Sequence, residues 1–244
     1  MDNRTIDAYL ERIGATRSST LVELHERHLR SVPFENLSLH LGEPVTLSPD
    51  ALVDKVVNRR RGGFCYELNG AFATLLGALG YDVRLLSAKV FNKGVFGPPF
   101  DHMALRVGDQ LVDVGFGRFA MRPLDLTSRE DQHDPIGVFR LADAPEGDVD
   151  VLFDGEVQYR MELRPRALEE FRATCWYQQT AEDSPFLKVA TCSIATAHGR
   201  ITVSGNRLIV TERGERRERE LTDAEVIAAH EEHFGVVLDR VPRR

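Results

Sequence analysis

The sequence is short of the features that mark secreted, membrane-bound or nucleic-acid-binding chains. It holds three cysteines in 244 residues, at 65, 175 and 192. An odd number cannot all pair, and these lack the spacing of a zinc site, so neither a disulfide framework nor a metal is expected. No stretch approaches the roughly 20 consecutive apolar residues that span a bilayer. The opening MDNRTIDAYLERIG is polar and amphipathic, without the apolar centre of a signal peptide. There is no excess of positive charge. The formal net charge is −7 with both signs interspersed, which offers no face to nucleic acid or to an anionic membrane. Repeats and low-complexity linkers are also missing. The expectation is a soluble protein of the reducing cytoplasm.

What is present is an ordinary globular composition, 42% hydrophobic and 28% charged, with enough chain for one large domain or two or three small ones. The first third reads as helices. Ile6, Tyr9, Leu10 and Ile13 recur at helical spacing before Gly14. Thr20 and Glu23 form a capping box ahead of Leu21, Leu24 and Leu29, and Pro33 closes that segment. Ser48-Pro49 opens a third helix through Leu52, Val53, Val56 and Val57, with Gly62-Gly63 expected to end it. A fourth, central helix carries Leu68, Ala71, Phe72, Leu75, Leu76 and Leu79, and stops at Gly80.

Beyond Gly80 the pattern changes to short β-leaning runs separated by Gly and Pro: Val83 to Val90, Met103 to Val107, Gln110 to Val114, Val138 to Leu141, Val157 to Leu163 and Thr174 to Tyr177. This implies an antiparallel sheet or barrel. The last third holds a solvated hairpin, RLIVTERGERRERELT, and a capped helix beginning near Thr222 and Glu225.

Chemistry concentrates in RGGFCYELNG. Cys65 falls at the start of the fourth helix, where unpaired N–H groups and the helix dipole favour a thiolate and lower the thiol pKa. Gly62 and Gly63 would let the backbone turn and a substrate approach. A base is supplied by DHMALRVGDQLVDVGFG, a hairpin turning at Gly108-Asp109. Its register pairs 104 with 113 and 102 with 115. Met103, Leu105, Val107, Val112 and Val114 then share an apolar face, and His102 and Asp113 project from the other as diagonal neighbours. A buried carboxylate in LVDVGF needs a partner, and a His–Asp pair completes a nucleophile–base–orienter triad with Cys65. The alternative for each residue is plain structure. The other histidines have bland roles: His25 and His28 share one helix face, His230 and His233 another at a spacing that is not the zinc helix. GFGRFA fits G-x-G-x-x-A on paper, but the following MRPLDL is not helical, so it reads as a turn.

RGGFCYE and VDVGFG, with VPFENL at 32–37, DHMALRV, SPF at 184–186 and HFGVVL at 233–238, resemble the arylamine N-acetyltransferases over almost the whole chain. The resemblance implies an α+β fold: an N-terminal helical bundle (1–82) carrying the nucleophile, a central antiparallel β-barrel (83–188) carrying His and Asp, and a C-terminal α/β lid (189–244), around a cysteine-protease-like core. It implies a triad of Cys65, His102 and Asp113. It also implies a ping-pong reaction in which acetyl-CoA acetylates the cysteine and an arylamine, arylhydroxylamine or hydrazine takes the acetyl group, with no metal. Phe34, Phe116 and Phe186 match residues lining the acceptor pocket, and Arg61 and Glu35 match a buried structural pair. The eleven-residue interval from His102 to Asp113 and the short end after HFGVVL trim regions that border the CoA cleft in relatives, so no CoA-contacting residue is assigned. A second enzyme class uses the same triad for amide hydrolysis or transglutamination, and a non-catalytic binding domain that kept the fold is the third reading. The amine acceptor, the choice of acyl-CoA and the oligomeric state are not legible in the sequence.

Overall fold

A computed structural model describes residues 1–243. The helical third forms where its caps place it. In α1 (Asn3–Arg12), Asp2 caps the Thr5 N–H and Ile6, Tyr9 and Leu10 face inward. In α2 (Leu21–Ser31) the Thr20–Glu23 box is closed in both directions. Nothing in the periodicity marks the next two elements, β1 (Phe34–Glu35) and the short α3 (Leu37–Leu41). Helix α4 (Pro49–Val57) is capped by Ser48. It stops well before the expected Gly62-Gly63, and Arg60, at φ 52°, turns the chain back. Helix α5 (Cys65–Ala78) is central: every residue from Cys65 to Phe72 is buried. Its C-terminal half reaches solvent on one side, and Leu79 is only half-buried.

The next strands are β2 (Val83–Asn92), β3 (Val95–Phe96), β4 (His102–Val107), β5 (Gln110–Val112), β6 (Leu124–Asp125), β7 (Gln132–Asp134), β8 (Gly137–Asp143), β9 (Val149–Phe153) and β10 (Glu156–Arg166). They form one antiparallel sheet in the order β6-β5-β4-β2-β10-β9-β8-β7, with β3 paired to β2. The end strands β6 and β7 are tied by Gln132, whose side chain accepts from Asp125 N at 2.7 Å and donates to Asp125 O at 3.0 Å. This nearly closes the barrel. Its interior is filled by Leu86, Ala104, Leu111, Phe119, Phe139 and Tyr159.

Thr174–Tyr177, expected as a strand, lies instead in α6 (Arg172–Thr180). Aromatic and β-branched residues lean the segment towards a strand, but burial of Cys175 and Gln178, three apart, with Trp176 67% exposed, is a helical face and overrides propensity. The lid strands are β11 (Thr191–Ala195), β12 (Gly199–Ser204), β13 (Arg207–Glu212) and β14 (Glu215–Glu220), followed by α7 (Asp223–Phe234). β13 and β14 are the expected hairpin, and β14 is exposed throughout. The lid sheet takes its edge strand from the N-terminal region, because β1 pairs with β11 through Phe34↔Ser193 and Glu35↔Cys192.

Candidate active site

Cys65 is the first residue of α5, held there by buried charge. Glu67 Oε2 accepts the N–H of Phe64 at 3.2 Å, and Lys55 Nζ lies 2.6 Å from Glu67 Oε1. Beside them Arg61 Nε donates to Glu35 Oε1 at 2.9 Å, and Glu35 Oε2 accepts from Leu37 N at 2.7 Å. Two carboxylates and two cations thus share one dry site, which leaves no uncompensated charge. Burial opposes ionisation of Glu35, but Lys55 and Arg61 outweigh it and hold its carboxyl low. Glu67, where burial is joined by repulsion from Glu35, is pushed up despite Lys55. Gly62 and Gly63 serve this packing and not substrate access. A Cβ on Gly62 would stand 1.8 Å from Pro33 O, and one on Gly63 would stand 2.5 Å from Glu67 Cβ.

His102 begins β4 and pairs with Ala88 on β2. The hairpin turns at Gly108-Asp109 in the expected register, 107 with 110 and 106 with 111, but its ladder ends at Leu105↔Val112. The expected pairs 104–113 and 102–115 do not form. Asp113 leaves the ladder because its backbone is taken by His25 of α2. His25 Nδ1 sits 3.0 Å from Met121 O, and its Nε2 lies 3.2 Å from Asp113 O and 3.3 Å from Asp113 N. Burial keeps His25 neutral, its pKa lowered.

Freed from the ladder, the Asp113 carboxylate meets His102 Nε2 at 2.7 Å. Four further donors converge on it: Asn69 Nδ2 at 2.9 Å, Gly115 N at 3.0 Å, Phe116 N at 3.1 Å and the Tyr159 hydroxyl at 3.1 Å. Burial opposes its ionisation, but His102 and these hydrogen bonds hold it below the ordinary aspartate value. Burial and the Asp113 charge push the Tyr159 phenol far up, so it stays a donor. Nδ1 of His102 is the ring nitrogen not engaged by Asp113.

The Cys65 sulfur lies against the residues flanking His102, its thiol 4.0 Å from Asp101 O and its sulfur beside the Met103 N–H. Tyr66 pins the same loop, donating to Phe100 O at 2.8 Å where Phe100 adopts φ 64°. Burial pushes the Cys65 thiol well above its usual value, and Asp113 and Asp101 add to that; the Met103 amide opposes it. This direction is opposite to the lowering expected from the helix start, because the dry surroundings outweigh the first turn of α5.

Of the three candidate pocket residues, Phe34 and Phe186 meet each other, while Phe116 packs against His102 and Tyr159. The Phe116 ring meets His102 edge-on, with centroids 5.1 Å apart. Gly117 takes φ 89°, a conformation that suits glycine, and a Cβ there would make only ordinary contact with the Phe34 ring at 3.6 Å. Phe34 and Phe186 rings are 6.4 Å apart, and Phe186 rests 5.1 Å from Phe64. Phe34, Phe116 and Phe186 are each half-buried. GFGRFA runs as a bend followed by irregular chain, without helix. His230 Nδ1 contacts Val226 O at 2.7 Å, and among the described residues no group of three or more His, Cys, Asp or Glu could hold a metal ion.

Sequence reasoning passed over Asn69, His25 and Tyr159. Asn69 had a signal, since it follows Cys65 by four residues and so shares its helix face. Tyr159 had none: only the β2–β10 pairing brings it beside His102, with ring centroids 4.9 Å apart.

A family model described as N-acetyltransferase matches residues 19–242. The arylamine N-acetyltransferase of Mycobacterium bovis is 37% identical over 98% of this chain and 92% of its own length. The solved arylamine N-acetyltransferase of Mycobacterium marinum superposes with a TM-score of 0.87 at 31% identity, covering 95% of this chain and 92% of that one. A second structure of that protein, in complex with CoA, gives a TM-score of 0.85 at 32% identity, covering 95% and 92%. Likeness in sequence and in fold extends over nearly the full length of both partners, and the chain belongs to the arylamine N-acetyltransferase family.

Proposed function

We propose that this enzyme moves an acetyl group from acetyl-CoA to an arylamine, arylhydroxylamine or hydrazine by a ping-pong route through acetyl-Cys65. The observation that carries the reading is the orientation of His102: Asp113 takes Nε2 at 2.7 Å, so Nδ1 is the nitrogen available to the thiol. A buried thiolate alone is costly, whereas a thiolate–imidazolium pair carries no net charge and is penalised less. His102 thus takes the Cys65 proton as sulfur attacks the thioester carbonyl, and Asp113 fixes the tautomer and offsets the charge. The N–H of Cys65, at the start of α5, faces the oxyanion that forms. His102 then returns the proton to the departing CoA thiolate. In the second half the neutral arylamine attacks the acetyl-cysteine, His102 accepts its proton, and Cys65 sulfur leaves. Phe34, Phe116 and Phe186 form an apolar wall against which a flat aromatic amine can stack.

The test is peptide mass spectrometry after brief exposure to acetyl-CoA, with and without aniline. An acetyl group on the Cys65 peptide, discharged by aniline, is the expected result. Folded protein that stays unmodified and releases no CoA would overturn the assignment.

A further inference from the structure

Asp101 precedes His102 in the chain, and the steps above do not use it. Its loop is tied down by three elements. Tyr66 of α5 donates to Asp101 O at 3.2 Å, Ser87 Oγ of β2 accepts from Phe100 N at 3.1 Å, and Thr174 of α6 donates to Pro99 O at 3.1 Å. The Asp101 side chain is half-buried. Gln178 Nε2 of α6 donates to its Oδ1 at 2.6 Å, and a Cβ on Gly97 would collide with its Oδ2. Gln178 is itself buried, with Oε1 taking the Ser184 hydroxyl at 2.9 Å, so Nε2 is the end that faces Asp101.

The Asp101 charge reaches both members of the reacting pair. Burial pushes the Cys65 thiol up, and Asp101 adds to it. Burial also raises Asp101 above the ordinary aspartate value, against the charge of His102 and the Gln178 bond. A carboxylate held beside a dry thiol and imidazole disfavours thiolate and favours imidazolium. The other titratable groups packed here are neutral or already engaged. Burial pushes Tyr66 of α5 and Tyr159 of β10 far up and Cys175 of α6 up to about 12, and a bond to Asp183 raises Tyr177. Asp113 is the other anion, and it is bound to His102 and Asn69.

We propose that Asp101 is a positioning residue for the reaction: fixed by Gln178 and Ser184, its carboxylate stands as a second anion beside the Cys65–His102 pair, favouring the imidazolium and disfavouring a free thiolate. This role rests on the Cys65–His102 pair of the proposed reaction and not on which acyl group is moved.

The pH profile of alkylation by iodoacetamide, a neutral reagent, read on the Cys65 peptide, tests this role without turnover. Asp101→Asn removes the charge and keeps an acceptor for Gln178. Its rising limb should lie at lower pH, with alkylation about threefold faster or more at a fixed pH on that limb. Gln178→Met keeps the charge but frees it towards solvent, and should move the limb the same way by less. Should Asp101→Asn fail to fold, Gln178→Met decides. A limb that stays in place, or moves to higher pH, overturns the role and leaves Asp101 as plain structure. His102→Ala separates the two readings. If it too leaves the wild-type profile, the Cys65–His102 pair falls and the role of Asp101 with it. If it changes the profile while Asp101→Asn does not, only the role of Asp101 falls.

Discussion

Asn69 joins the helix that begins at Cys65 to Asp113, the carboxylate paired with His102: its Nδ2 lies 2.9 Å from Asp113 Oδ1 while its Oδ1 accepts from Val114 N at 2.9 Å. It also donates to Met103 O at 2.5 Å, so one side chain four residues after Cys65 bonds both β4 and the chain that follows β5. Asn69→Ala leaves the Val114 N–H and one Asp113 lone pair unpaired in a dry site. The expected destabilisation is about 1–3 kcal/mol, read by urea unfolding, with kcat/KM falling at least tenfold because His102 loses its fixed partner. Unfolding and kinetics indistinguishable from wild type would show that the contact positions nothing.

Gly115 is required by close approach. A Cβ there would stand 2.8 Å from Cys65 Cα and 2.7 Å from Asn69 Nδ2. Gly115→Ala must push α5 away from the loop, and overpacking of this kind costs roughly 1–3 kcal/mol. The sensitive readout is the rate of Cys65 alkylation near neutral pH, which should drop as the thiol moves from His102. His102→Ala should slow the same alkylation.

Tyr159→Phe removes one donor from Asp113 and keeps the ring against His102. Asp113 has its folded pKa below the ordinary aspartate value. Its contribution to stability is therefore present above that ordinary value and is lost as pH falls through the lower folded one. Losing the hydroxyl weakens the depression, so acid unfolding should begin at higher pH than in wild type. Parallel urea midpoints below about pH 4 would check this; coincident curves would mean the hydroxyl does not favour the carboxylate.

Lys55→Met breaks a buried pair from one side. It leaves Glu67 facing Glu35 without the ammonium that lies 2.6 Å from the first and 4.0 Å from the second. Removing one partner of a buried pair costs roughly 3–5 kcal/mol. A double change, Lys55→Met with Glu67→Gln, should recover much of the loss, since the remaining charges then pair as Arg61 with Glu35. Thermal unfolding of both variants tests the claim.

The sequence by itself determined what is local. Caps at Thr20, Ser48 and Thr222, helical stripes, the Gly108-Asp109 turn and the polarity of the β13–β14 hairpin all depend on residues a few positions apart. The candidate residues Cys65, His102 and Asp113 could be picked out because a helix start and a two-residue hairpin place them within short spans, and family resemblance joined those spans. Tertiary structure decided the rest. It stopped the hairpin ladder at Val112 so that Asp113 could be held by His25, Asn69 and Tyr159, drawn from three distant elements. It turned Thr174–Tyr177 into helix, since burial of Cys175 and Gln178 outweighs the strand preference of the aromatics between them. It raised the Cys65 pKa where the helix start alone would lower it, because desolvation depends on what the whole chain packs around the thiol. And it brought Gln178 to Asp101, seventy-seven residues apart, which no local pattern encodes.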